Sequence, residues 1–433
     1  MRRLFRLVVA VVAVGLVAPL RADAAQDTAA SGRQGALRLF LDCDWCDETF
    51  MRTEITFVDY VRDRKDADVH ALVTTQETGG GGTEYTFKFI GLGRFLNIEQ
   101  TLRHVVPQTA TSDERRRAVA EVLKRGLVRY VAETPLGSRL KISFAAEAAA
   151  AGQTDPKQDP WNLWVFRTSF GGSVNGERSN EGKSIRGSVS ANRTTADWKL
   201  GFAASASYRD STFELSETET FRSVSRNFDG SGRVVKSLDE HWSAAAIGTL
   251  SSSTFVNQDL HMRLATGVEY DIFPYSQSTR RLLTVQYTVG YNHFDYEEET
   301  VYFKLSERLI DHRLTAALSM RQTWGSAFAD VTFSQYLNQT DAYNISAFGS
   351  TDIRIYKGLS FNMFASVGRP RDQLYLPRAG ATAEEILVRQ QQLATTYRYS
   401  LNFGLSYSFG SIFNNIVNPR FGSGGGGEFF FFF

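Results

Sequence analysis

The sequence predicts a mostly-β protein, a 12-stranded antiparallel transmembrane β-barrel preceded by a small periplasmic α+β domain of split βαβ type. Three observations predict it. From residue 161 onward apolar residues recur at every second position; the chain carries 32 Phe, 17 Tyr, 6 Trp and 35 Gly at low mean hydropathy; and after the first two dozen residues no apolar run is long enough for a membrane helix. A strand with one face in lipid and the other in water produces that alternation, and its aromatics mark the membrane interfaces.

The amino terminus has Arg2, Arg3 and Arg6 ahead of an apolar run from Leu7 to Leu20, then Arg21-Ala-Asp-Ala24. This is the order of a secretory signal peptide, expected over residues 1–24. The run is shorter than the roughly 20 residues a spanning helix needs. Asp42 occupies the small-residue position before Cys43, so lipid anchoring there is not expected. Residues 25–36 are small and polar and read as a flexible leader.

Residues 37–144 have mixed periodicity and are expected to form the periplasmic domain. Leu37 to Leu41 reads as a strand and Asp47 to Asp63 as containing a helix, with Phe57, Val58 and Val61 at helical spacing. Val69 to Thr75 and Tyr85 to Ile90 read as strands joined by a turn at Gly79 to Gly82. Thr111 and Glu114 form a capping box before a helix whose apolar face is Val119, Val122, Leu123, Leu127, Tyr130 and Val131. Leu140 to Phe144 is expected to close the sheet, and residues 145–160, rich in Ala, Gln, Asp and Pro, read as a linker.

From 161 to 410 the period is 2. Tyr397, Tyr399, Leu401, Phe403, Leu405, Tyr407 and Phe409 alternate with polar or small residues in the clearest case. The expected strands are 161–175, 183–194, 197–213, 220–237, 241–255, 260–273, 281–297, 307–324, 326–338, 343–357, 359–371 and 396–410. Short connections at Thr195-Ala196, Leu238 to Glu240, Gly325-Ser326 and Lys357-Gly358, with a looser one at Pro274 to Arg280, fall on alternate junctions as periplasmic turns. Longer ones at 176–182, 214–219, 298–306 and 372–395 become extracellular loops. The longest contains helix formers behind Thr382, and Ile386, Leu387 and Leu393 are expected to fold over the outer mouth. An even strand number returns both ends to the periplasm.

In the last strand Asn402, Gly404, Tyr407 and Phe409 resemble the β-signal read by the outer-membrane assembly machinery. Residues 411–433 read as a periplasmic tail with a glycine spacer and five terminal phenylalanines, whose role the sequence leaves open. Near-neutral net charge, +1, gives no case for nucleic acid. Cys43 and Cys46 are expected to form a structural disulfide ahead of metal binding or redox work, because Asp42, Asp44 and Asp47 disfavour a reactive thiolate.

The six histidines show no metal-ligand spacing, and neither a metal nor a cofactor is expected. His312 with Ser319 is the candidate pair for a barrel-borne lipase; no catalytic residue is assigned. On the inferred lumen face lie Arg186, Lys199, Arg209, Arg263, Arg313, Arg321, Arg354 and Arg398, against Glu269, Asp271, Asp330 and Asp352. Such an excess of bases selects anions in a water-filled pore, unless the bases pair with acids and fill the interior.

Several segments together resemble a family of uncharacterised bacterial outer-membrane proteins: Tyr60 to Arg64, Ala67 to His70, Gly80 to Tyr85, Phe294 to Thr300, Asp372 to Pro377 and Ser408 to Asn415. The resemblance implies the outer membrane of a Gram-negative bacterium and lends no activity. The first domain is also similar in element order to the amino-terminal domain of the Tol translocation protein. The expected partners are outer-membrane lipid, the outer-membrane assembly machinery and a periplasmic protein. Three functions stay open: a porin-like narrow channel for small anions, a non-transporting anchoring or assembly protein acting through its periplasmic domain, and, with least support, an enzyme.

Overall fold

The structure, a computed structural model, describes residues 35–79, 81–141, 159–214, 220–380, 394–413, 415 and 417. The expected signal peptide, most of the expected linker, the part of the long loop expected to carry helix formers and the phenylalanine terminus lie outside the described residues.

The amino-terminal elements are β1 (Leu37–Asp42), α1 (Glu48–Glu54), β2 (Val58–Tyr60), β3 (Val69–Glu77), β4 (Thr83–Gly91), β5 (Glu99–Val106) and α2 (Ser112–Val131). The sheet order is β2-β1-β3-β4-β5, with β1 parallel to both neighbours and the other pairs antiparallel. Helix α2 starts where the sequence placed it. The Thr111 hydroxyl accepts from the Glu114 amide, and the Glu114 carboxylate accepts from the Thr111 amide at 2.7 Å, a cap worth about 1 kcal/mol. Its buried face, Val119, Val122, Leu123, Leu127 and Tyr130, packs with Leu37, Leu39, Val69, Phe87 and Phe89 of the sheet. The buried Tyr130 hydroxyl donates to the Ile98 carbonyl at 3.1 Å, fixing the helix against the β4–β5 connection.

Two readings of this domain need correction. The helix expected between Asp47 and Asp63 ends at Glu54, and Val58 belongs to strand β2, paired with Leu37; β-branched and aromatic residues beside an open strand edge favour pairing over another helical turn. The closing strand is not Leu140 to Phe144: Leu140 and Lys141 are not in a strand, and the rest lies outside the described residues. The edge is β5, a Glu-, Arg- and His-bearing strand whose polarity hid it and suits an exposed edge.

The second sheet has twelve strands: β6 (Trp164–Glu177), β7 (Asn180–Thr194), β8 (Trp198–Glu214), β9 (Thr220–Ser237), β10 (Trp242–Ser253), β11 (Gln258–Asp271), β12 (Arg281–Asp295), β13 (Ser306–Gln322), β14 (Gly325–Tyr336), β15 (Gln339–Tyr356), β16 (Leu359–Pro370) and β17 (Arg398–Tyr407). Each pairs antiparallel with the next in sequence. The long connection expected at 176–182 shrinks to Arg178 and Ser179, because Glu177 already pairs with Asn180. Side chains from β6 to β11 line one cavity, so the sheet is curled. Its edges, β6 and β17, are not hydrogen-bonded to each other among the described residues.

Register fixes the two faces. In β8, Trp198, Leu200, Phe202 and Tyr208 face outward and Lys199, Gly201, Ser205 and Arg209 inward, and antiparallel partners share a face. The outward face carries exposed apolar side chains on strand after strand, among them Phe170, Phe202, Leu264, Tyr287, Val331, Val367 and Phe403.

Candidate functional site at the turn end of the sheet

One half of the curl is filled. Arg263 on β11 reaches across β12 to Asp311 on β13, Nη2 to Oδ2 at 2.9 Å, and Nη2 also donates to Thr288. Asn292 donates to the same carboxylate at 2.9 Å and lies 3.1 Å from His261. Arg263 and Asp311 are buried, so their charges are mutually neutralised. The reach needs Gly290: a Cβ there would stand 2.6 Å from Asp311 Oδ1 and 2.9 Å from Arg263.

Toward the loop end, Phe294, Tyr296, Leu309 and Ala342 bury Leu374. The chain then crosses to the β12–β13 connection: the Val301 amide donates to Leu376, and Arg378 bonds Glu299 at 2.8 Å. The first part of the long loop therefore folds over this half, whereas Ile386, Leu387 and Leu393 lie outside the described residues.

The amino-terminal domain is docked on the turn end. Asp42, the last residue of β1, accepts both terminal nitrogens of Arg354 from β15 at 2.7 Å. Asp44 pairs with Arg321 at 2.8 Å, Lys357 with Asp66 at 2.6 Å, and the Gly358 amide donates to Asp63. After β17 the chain returns to the edge of β2: Phe413 bridges Val61, the Arg62 amide donates to Ile412, and Asn415 bonds Tyr60 and Asp59. Cys43 and Cys46 are joined, and their short loop carries Asp44 between β1 and α1. Asp47 caps α1 by accepting from the Phe50 amide.

Behind this contact, His70 is fully buried. Its Nε2 lies 3.0 Å from Asp42 and its Nδ1 accepts from Arg64 at 3.1 Å, the pattern of a neutral ring. Burial holds His70 below the ordinary imidazole value, against the pull of Asp42. Burial alone would raise Asp42, but hydrogen bonds from His70 and Arg354 outweigh it and bring the carboxyl down to about 2.

The other half is open. Arg186, Lys199 and Arg209 face inward on β7 and β8, and none has a carboxylate within ion-pair distance among the described residues; the same holds for Arg398 on β17 and Arg313 on β13. Of the eight bases inferred from sequence, then, Arg263, Arg321 and Arg354 are ion-paired, Arg313 lies in the filled half near Asp311 and Asp372, and Arg186, Lys199, Arg209 and Arg398 have no ion-pair partner among the described residues. Two inward bases on the same wall were missed, Arg167 on β6 and Arg233 on β9. Val234 and Val235 blur the alternation around Arg233; around Arg167 the outward Trp164, Phe166 and Phe170 are the signal that finds it.

A cleft of about 740 Å³ at the turn end is lined by Arg167, Lys199 and Arg233, by Glu269 and Asp271 on the opposite flank, and by Thr78, Gly79 and Gly81 of the amino-terminal domain.

In β17, Asn402 and Gly404 face inward and Tyr407 outward, while Phe409 lies beyond the strand, stacked on Tyr407 at 5.6 Å. His312 faces outward and Ser319 inward, so that pair does not meet. Among the described residues no group of His, Cys, Asp or Glu is placed to hold a metal.

The family model described as "Protein of unknown function, DUF481" matches residues 173–373, from β6 to the loop after β16. Among solved structures, one of the NanC porin is 10% identical, covering 56% of this chain and 99% of that one at a TM-score of 0.27, a likeness too loose to carry an argument. No curated protein matches the chain.

Proposed function

We propose that this chain is an outer-membrane β-barrel protein whose interior forms a narrow channel for small anionic solutes, with its amino-terminal domain in the periplasm. The observation that carries the membrane reading is the outward face: Phe170 is 82% exposed and Phe403 72%, and none of the described residues covers either of them. At about 25 cal/mol per Å² of apolar surface, such a face needs a cover. Strands of 10 to 18 residues meet the roughly 9–11 that a tilted membrane strand requires. Anion preference rests on the unpaired inward bases of β6 to β9.

Reversal potentials of purified protein in planar bilayers under a potassium chloride gradient test this. Anion selectivity that falls or inverts in Arg186→Glu, Lys199→Glu and Arg209→Glu is the expected result; cation selectivity in the parent overturns it. Closure of the barrel is tested by pairing Ser169→Cys on β6 with Ser400→Cys, Asn402→Cys or Gly404→Cys on β17. All these positions face inward, and antiparallel closure brings one pair into disulfide range.

A second reading, a non-transporting anchoring or assembly protein, is favoured by the way Asp42 and Asp44 neutralise Arg354 and Arg321 at the turn end. Silent bilayers, both for the full chain and after the domain is released, would select it.

A further inference from the structure

We propose that the cavity where the amino-terminal domain meets the β15–β16 turn binds the phosphate headgroup of an anionic phospholipid, with Arg62 and Lys65 as its cationic contacts and the outward rim of the sheet as the support for its acyl chains. The site rests on the membrane reading, which supplies the lipid.

An aromatic girdle sets the height of the site. At the turn ends of their strands Trp164, Trp198, Trp242, Tyr270 and Tyr407 all face outward by register. Rings in such a row sit at the level of lipid headgroups. Tyr356 joins them, since it pairs with Leu359, which pairs with Tyr407, and it is 66% exposed. The amino-terminal domain brings a cation to the same level. Asp63 caps the turn of residues 64–66 by accepting from the Lys65 amide at 2.8 Å, and it ties that turn to the sheet by accepting from the Gly358 amide at 2.8 Å. Lys65 Nζ then stands 4.1 Å from the centre of the Tyr356 ring, where the ring face attracts the ammonium.

The cavity beside this pair has a volume of about 320 Å³, with Trp324, Ile355, Tyr356 and Leu359 as its apolar lining and Arg62, Arg64 and Lys65 as its basic one. Its charge balance favours an anion. Among the described residues Asp63 is the one acid in the lining, and its two oxygens are taken by the Lys65 and Gly358 amides. Arg354 and Lys357 also line the cavity but are matched by Asp42 and Asp66. Arg62, Arg64 and Lys65 have no carboxylate within ion-pair distance among the described residues. Arg64 donates through Nε to His70, which leaves its terminal nitrogens for another acceptor. Arg62 Nε is buried with no hydrogen-bond partner among the described residues, a donor that lacks its acceptor. Phosphate oxygens match these donors, and basic pockets at a membrane surface take up anionic headgroups. A free phosphate would use the bases alone, whereas a lipid also uses the apolar lining, where Ile355 is 56% exposed. Lys236 provides the contrast: its Nζ lies 4.9 Å from the Trp198 ring in the same girdle, but Asp197 faces it at 3.8 Å.

Native mass spectrometry of the full-length protein in a neutral detergent counts bound lipid during titration with phosphatidylglycerol, phosphatidylcholine or inorganic phosphate. One phosphatidylglycerol should bind at least about tenfold more tightly than either of the others. Lys65→Gln, at an exposed side chain, should weaken it roughly fivefold, and Arg62→Gln combined with Lys65→Gln more than tenfold. Lys236→Gln should bind as the parent does. Equal affinity for the two lipids, parental binding in both Lys65 variants, or inorganic phosphate bound as tightly as the lipid overturns the site. Insertion into phosphatidylcholine vesicles, read by heat-modifiable migration, separates the site from the membrane reading. An inserted chain with no preference for phosphatidylglycerol removes the site and keeps the membrane reading. A chain that does not insert removes the membrane reading and the lipid site with it.

Discussion

Replacing Arg354 with Ala should release the amino-terminal domain from the turn end. Asp42 is 9% exposed at its side chain and accepts two short hydrogen bonds from Arg354 and one contact from His70. Its carboxyl is held at about 2 against an ordinary 3.8 by hydrogen bonds from His70, within its own domain, and from Arg354, a depression worth about 2.5 kcal/mol to the charged form, of which the Arg354 share favours docking. In the released domain water reaches Asp42, so the docked state alone bears the loss when Arg354 is removed. Truncating one partner of a buried pair costs about 3–5 kcal/mol; because Arg354 is itself 33% exposed, about 2 kcal/mol is the expected size, roughly 30-fold in the docking equilibrium.

The sign with pH follows from the depressed value. The pair's contribution is fully present above the ordinary carboxyl range and is lost as pH falls through about 2. Hydrogen exchange of the amides of Tyr60 and Arg62, which donate to Asn415 and Ile412 of the returning chain, measures docking at pH 7. Exchange in Arg354→Ala within twofold of the parent, with the barrel folded, would refute the reasoning. Asp42→Asn, which keeps the shape and removes the charge, should fall between the two.

Three other outcomes are expected. Deleting Gly404 and replacing Tyr407 and Phe409 with Ala should block membrane insertion without blocking export; heat-modifiable migration and outer-membrane yield check it, and parental values for both count against the assembly signal. Alkylation under denaturing, non-reducing conditions should find no free thiol, and Cys43→Ser with Cys46→Ser should lower the midpoint of chemical unfolding of the domain by the equivalent of about 2 kcal/mol; full labelling of both thiols would contradict the bond. Deleting 378–392 should raise conductance or sensitivity to large antibiotics, since the segment before it already lies over the filled half of the curl, and unchanged permeability of a correctly inserted barrel would mean that the loop is no gate.

The sequence by itself determined the strands of the second sheet and their faces, because a period of 2 writes inside and outside residue by residue. It likewise placed α2 through Thr111 and Glu114, whose capping bonds span three positions. Inward aromatics were the exception: Phe328, Phe348 and Phe364 cluster on the inward face, with centroids 5.5 and 5.0 Å apart, against the pattern of aromatics outward. Only the tertiary structure decided which inward bases are free. Arg354 and Arg186 look alike in sequence, yet Arg354 meets Asp42 across 312 positions and Arg186 meets no acid among the described residues. Val58–Tyr60 became a strand for a similar reason, since β1 offered an edge that no local pattern announces. Charge partners and sheet edges are supplied by distant parts of the chain, and a local period has no means of recording which distant group arrives.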